Sequence, residues 1–126
     1  MFDVERVGRL LNSLLVAKTV YELIREGYNP TSLYRQLRIL KQYGFVREVV
    51  IKGVRHYHIT TLGAELLKTL RKAIVYKIAS ELERKNIKYK IIWGSPNEQT
   101  ISPKIIIEKH VETTPTYGLV RIIEEN

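Results

Sequence analysis

Asn29, Thr31, Ser32, Arg35 and Gln36 fall in one short segment of the chain. Together they carry the groups that read the edges of base pairs. Arginine bridges guanine O6 and N7, glutamine pairs with adenine N6 and N7, and hydroxyls reach bases or phosphates. Arg38 and Lys41, farther along, are better placed for backbone phosphates. Tyr34 is either a phosphate donor or a shoulder of the core. From Pro30 to Gly44 the charged residues are Arg35, Arg38 and Lys41, and no acid stands among them. A solvated helix in a protein-interaction module usually mixes Glu with Lys, so this bias favours a polyanion. A second cluster holds Arg47, Lys52, Arg55, His56 and His58 against Glu48 alone.

Other chemistry finds less support. His56 and His58 alternate on one strand face, but only His110 is left as a further imidazole and cysteine is absent. Two ligands do not close a zinc site. The pair is expected to be exposed and able to tune affinity for a polyanion near pH 6, where histidine charges. There is no glycine-rich phosphate loop, nucleophile elbow or cysteine nucleophile. Asp3 is the only aspartate. Glu22, Glu26 and Glu65 fit helix surfaces, and Trp93 is expected to anchor a core. The expectation is a protein that is not an enzyme and needs no cofactor or metal.

The elements that must position these residues follow from spacing. A first helix is expected from Asp3, with Val4, Val7, Leu10, Leu11 and Leu14 as its stripe. Its end is open, because Leu14 to Lys18 holds no breaker. Thr19-Val20-Tyr21-Glu22 reads as a capping box that starts a second helix running to Glu26, with Gly27 as its exit. Asn29 caps a third helix, with Pro30 at its first position, where a missing N–H costs nothing. Leu33, Leu37 and Leu40 are its buried side, and Gly44 ends it. Two strands, Phe45 to Ile51 and Val54 to Thr60, flank a Lys52-Gly53 hairpin turn. A long helix from Thr61 to Lys85 carries Leu62, Leu66, Leu67, Leu70, Ile74, Val75, Ile78 and Leu82. So long an apolar face exceeds what a small domain can cover, which predicts a homodimer seam at Leu66, Leu70, Ile74, Ile78 and Leu82. Three tail strands are expected at Ile87 to Trp93, Lys104 to His110 and Leu119 to Ile123, most simply as an antiparallel meander. Gly94-Ser95-Pro96-Asn97 and Thr113 to Gly118 would connect them.

The 126 residues make one domain with a small appendage. The net charge is +8, from 21 Lys+Arg and 13 Asp+Glu. Up to Asn86 there are 16 basic and 8 acidic residues, and after it 5 of each. The surplus therefore lies where the reading residues lie. No apolar run approaches the ~20 residues that span a bilayer, and the N-terminus lacks a signal-peptide pattern. A cytoplasmic protein without a membrane partner is expected. Low Met, no Cys and abundant Ile, Lys, Arg and Glu fit a hot environment.

The order helix, helix, turn, helix, hairpin, long helix resembles the winged helix-turn-helix regulators of the MarR, ArsR and PadR-like superfamily. Thr19 to Gly27, Asn29 to Val46 and Tyr57 to Leu67 carry the resemblance, in the family's order and spacing. Small proteins of this build are common in archaea and their viruses. The resemblance implies a winged helix-turn-helix over 1–60, and with the long dimerisation helix over 61–86 and the three-stranded antiparallel β appendage over 87–126 read from their own pattern the fold class is α+β. It implies a transcriptional regulator that binds specific double-stranded DNA as a homodimer, with Lys52 and Arg55 on the wing beside the backbone or minor groove. A small-molecule effector stays open. The alternative is an assembly module with the neutral tail as its active part, opposed by the positive charge of residues 29–55. Single-stranded binding needs aromatic platforms, and Tyr43, Tyr57 and Phe45 are assigned to packing.

Overall fold

The computed structural model describes residues 3–94 and 103–125. Among these the chain is mixed α and β. The order is α1 (Val4–Ser13), α2 (Val20–Arg25), α3 (Pro30–Gln42), β1 (Val46–Ile51), β2 (Val54–Ile59), α4 (Thr61–Arg84), β3 (Tyr89–Ile92), β4 (Lys104–Ile107) and β5 (Arg121–Glu124). Two compact units form: Leu10–Leu67, and Met1–Arg9 with Lys68–Asn126. The division therefore falls inside α1 and α4, not at the ends of elements where the sequence pattern changes.

The Leu10–Leu67 unit holds the end of α1, α2, α3, the β1–β2 hairpin and the start of α4, in the order read from the sequence. The breaker-free stretch after α1 leaves the helix because another partner takes its backbone. Lys18 N–H donates to the Tyr57 carbonyl at 2.9 Å, and Tyr57 N–H returns a bond to Lys18 at 2.7 Å. Ile59 N–H donates to the Leu14 carbonyl at 3.0 Å. The free edge of β2 thus competes successfully with helical propensity, and Leu14 is sealed.

Local rules shape the next elements. The Thr19 hydroxyl accepts from Glu22 N–H at 3.1 Å, and the Glu22 carboxylate accepts from Thr19 N–H at 3.1 Å. These bonds hold the Glu22 carboxyl below its usual pKa. Asn29 Oδ1 accepts from Thr31 and Ser32 N–H at 3.0 and 3.3 Å, with Pro30 at the first turn. Leu33, Leu37 and Leu40 are buried. After α3 the chain turns at Gly44, whose φ is 80°. β1 and β2 pair antiparallel from Val46↔Ile59 to Ile51↔Val54. Lys52 and Gly53 both have positive φ, 50° and 78°, the signature of a type I′ turn that matches strand twist.

Thr60 ties the end of this hairpin to the end of α3. Its hydroxyl donates to the Gly44 carbonyl at 2.6 Å and accepts from Gly63 N–H at 3.0 Å, capping α4. Its own N–H donates to the Phe45 carbonyl at 3.0 Å.

The second unit corrects two expectations. The sheet order is β3-β4-β5, with β3 and β4 antiparallel but β4 and β5 parallel. The appendage is therefore not an antiparallel meander. The chain from 108 to 120 is long enough for a crossover, which parallel strands require. It is tied to α4: Thr114 N–H and hydroxyl donate to Glu81, and Lys85 Nζ donates to the Glu112 carbonyl. Of the first expected connection, Ser95-Pro96-Asn97 lies outside the described residues.

The second correction concerns the long helix. Leu70 is 8 % exposed, and Ile74, Ile78 and Leu82 are fully buried within a single chain. They share a core with Ile87, Ile105, Ile107, Leu119 and Val120, so no second chain is needed to shield them. Leu66 is half-buried, and Leu62, expected in the apolar stripe, is exposed. Trp93 is not a core anchor but sits partly exposed, edge-on to Tyr76 at 5.9 Å. Arg71 is buried on α4, and burial lowers its pKa.

Candidate nucleic-acid interface

Helical geometry separates the two sides of α3. With Leu33, Leu37 and Leu40 turned inward, Thr31, Tyr34, Arg35 and Arg38 are exposed, and Ser32 and Gln36 are half-buried. Thr31, Arg35 and Arg38 are spaced four and three apart, which places them on one strip. Asn29 is exposed, but its side-chain oxygen is committed to capping, so it fixes the start of α3 and leaves only its amide N–H groups for a ligand. The Ser32 hydroxyl turns back to the Asn29 carbonyl at 3.4 Å.

The cations divide into paired and unpaired. Among the described residues Arg35, Arg38, Arg47 and Lys52 form no salt bridge. Lys41 Nζ lies 3.0 Å from Glu48 and Arg55 Nε lies 3.5 Å from the same carboxylate. The hydrogen bond from Lys41, with the charge of Arg55 beside it, holds the Glu48 carboxyl below its usual pKa. Glu48 therefore straps the hairpin to α3 and masks part of two cations that the sequence offered as phosphate contacts. Glu48→Gln is expected to tighten binding to duplex DNA by roughly two- to fivefold at low salt, as the pair is exposed and screened. An anisotropy titration checks this; weaker binding would mean that the strap matters more than the mask.

The register sorts the hairpin's two faces. Arg47, Val49 and Ile51 share one face with His58, His56 and Val54, while Glu48 and Val50 share the other with Tyr57 and Arg55. His56 Nδ1 lies 2.9 Å from the Val54 carbonyl, and both histidines are half-buried. Among the described residues no group of three or more His, Cys, Asp or Glu could hold a metal ion. His110 lies against Glu124 in the other unit. No described helix is long and apolar enough to cross a membrane.

Some neighbours were missed in the sequence. Arg25 lies over the Tyr21 ring at 5.8 Å on α2, a contact that their i, i+4 spacing could have revealed. Tyr43, assigned above to packing, is 61 % exposed. It caps the end of α3, off the leucine stripe, and stacks on Phe45 with centroids 6.1 Å apart. Tyr57 is buried as expected.

No family model matches the chain, and no curated protein matches it. Among solved structures it is similar to the crystal structure of SSV1 F-93, with 21% identity and a TM-score of 0.47, over 60% of this chain and 90% of that chain. What the site can do rests on the residues themselves.

Proposed function

We propose that the Leu10–Leu67 unit binds double-stranded DNA, with α3 in the major groove and the β1–β2 hairpin as a wing beside it. One observation carries the reading. The outward strip of α3 holds Thr31, Arg35 and Arg38 without an acid, while its other side is sealed by leucines. A major groove about 12 Å wide admits one such helix, whose N-terminal residues meet base edges.

In this reading Arg35 and Gln36 read bases, Thr31 and Ser32 reach bases or phosphates, and Tyr34, Arg38, Lys41, Lys52 and Arg55 hold the backbone. The protein is then a transcriptional regulator of the winged-helix kind, acting as a homodimer on a two-fold site. Its pairing surface must lie outside the buried Leu70, Ile74, Ile78 and Leu82.

Duplexes selected from a random pool supply the test. Arg35→Ala is expected to weaken a selected site by roughly tenfold or more, against little change on random duplex, as a lost bidentate contact does. Lys52→Ala should weaken both alike and lower the salt slope by about one. Unchanged binding by both variants would remove the assignment of helix and wing.

A further inference from the structure

The far end of the hairpin is not what a phosphate clamp alone requires. Val50, Ile51 and Val54 surround the Lys52-Gly53 turn and are 69 %, 40 % and 51 % exposed. Ile51 stands opposite Val54 on one face, and Val50 projects from the other opposite Arg55. The tip is therefore apolar on both sides, with Lys52 at its apex and Arg55 and Arg47 along its flanks. Exposed β-branched residues on a hairpin invite aggregation, and surface hairpins usually carry charge there instead. They are also stiff: branching at Cβ restricts χ1, and the I′ turn fixes the backbone.

An occupant of this tip must accept apolar side chains in its centre and cations at its rim. The minor groove of duplex DNA does both, since phosphates edge it and apolar side chains can wedge between its base steps. An apolar protein pocket would leave Lys52, which forms no salt bridge among the described residues, without an acid at the apex.

We propose that the β1–β2 tip is a wedge: Val50, Ile51 and Val54 enter the minor groove, part a base step and bend the duplex. This rests on the duplex-binding reading above and adds a deformation to it. Bending is a source of specificity at positions that no side chain touches, because pyrimidine–purine steps open more easily than others. The tip then selects a flexible step at a fixed distance from the bases read by α3.

The test uses the full chain and a duplex of about 30 base pairs, selected by the wild-type protein and carrying a dye at each end. Energy transfer between the dyes reports bending, and anisotropy reports affinity. Wild type is expected to raise the transfer. The variant Val50→Thr/Ile51→Thr/Val54→Thr keeps branching at Cβ and strand propensity but makes the tip polar. It is expected to bind with affinity lowered by roughly tenfold, within the range of a few lost groove contacts, an unchanged salt slope and transfer back at the free-duplex level. Ile51→Thr alone should reduce the transfer in part. Lys52→Ala should do the reverse of the triple variant, lowering the salt slope while the bend persists.

Transfer that stays high in the triple variant, or wild-type protein that binds without raising it, overturns the wedge and leaves duplex binding intact. Failure of wild type to bind any duplex strikes the underlying reading instead. Light scattering of the triple variant closes the remaining route: if it dissociates an oligomer that wild type forms, the occupant is a second copy and the wedge is overturned.

Discussion

Raising salt from about 50 to about 200 mM is expected to lower affinity for duplex DNA roughly a thousandfold, as release of counterions from about six phosphates requires. Arg38, Lys41, Lys52 and Arg55 are the cations assigned to the backbone above, and Arg25 and Arg47 are further exposed cations of the Leu10–Leu67 unit that bring the number to six. Lys41 and Arg55 share Glu48, so they contribute fully only if the duplex displaces that carboxylate. The expected slope of log affinity against log salt is then about −5, and nearer −4 if the Glu48 pairs survive. Anisotropy titrations across the salt range measure it. A slope near zero would mean that this surface does not face phosphates. Its size also separates this reading from an apolar protein interface, whose affinity depends far less on salt.

Gly63→Ala is expected to destabilise the protein by about 2–3 kcal/mol, the scale of an overpacked site. Elsewhere in a helix the same change stabilises by about 0.5–1 kcal/mol, because alanine loses less backbone entropy on folding. The sign reverses here because a Cβ at Gly63 would lie 2.1 Å from the Phe45 carbonyl oxygen and 2.7 Å from Ile59. The nearer atom is backbone and cannot swing aside. It also accepts from Thr60 N–H, at the junction of α3, hairpin and α4. A urea titration should show a lower midpoint with an unchanged slope. Folded variant at low denaturant should still bind duplex less well, since relief of the clash displaces the start of β1 relative to α3. A raised midpoint would show that the approach is looser than described.

What could be read from the sequence is what neighbouring residues settle among themselves. The Thr19–Glu22 box, the Asn29 cap with Pro30, the Gly44 exit and the Lys52-Gly53 turn each need only a few consecutive residues, and each forms as spacing predicts. The leucines of α3 turned inward for the same reason. What escaped depends on residues distant in sequence. Nothing in Leu14 to Lys18 announces that the edge of β2 will claim it. The Ile-rich run at β4 does not record the direction of its neighbour, so the parallel pairing with β5 was invisible. The apolar stripe of α4 was legible, but its cover was not: Ile87, Ile105 and Ile107 supply it with Leu119 and Val120 at the end of the crossover, and the stripe was assigned to a partner. The same blindness hid Glu48 between Lys41 and Arg55, because the Lys41 pair joins α3 to β1.

The hairpin behaves mechanically as a cantilever. Its root is clamped by backbone bonds on the β2 side, where Ile59 and Tyr57 bond to Leu14 and Lys18, and by the Lys41–Glu48 pair on the β1 side, and among the described residues no backbone bond from another element holds it nearer the tip. A load applied near Lys52 therefore reaches its greatest moment at that root. From there it passes in one residue to Thr19, which opens α2, and in one residue to Thr60, which opens α4. Force on the free end is delivered to the first turns of two helices at once, so the arm cannot be pushed without both of them feeling it.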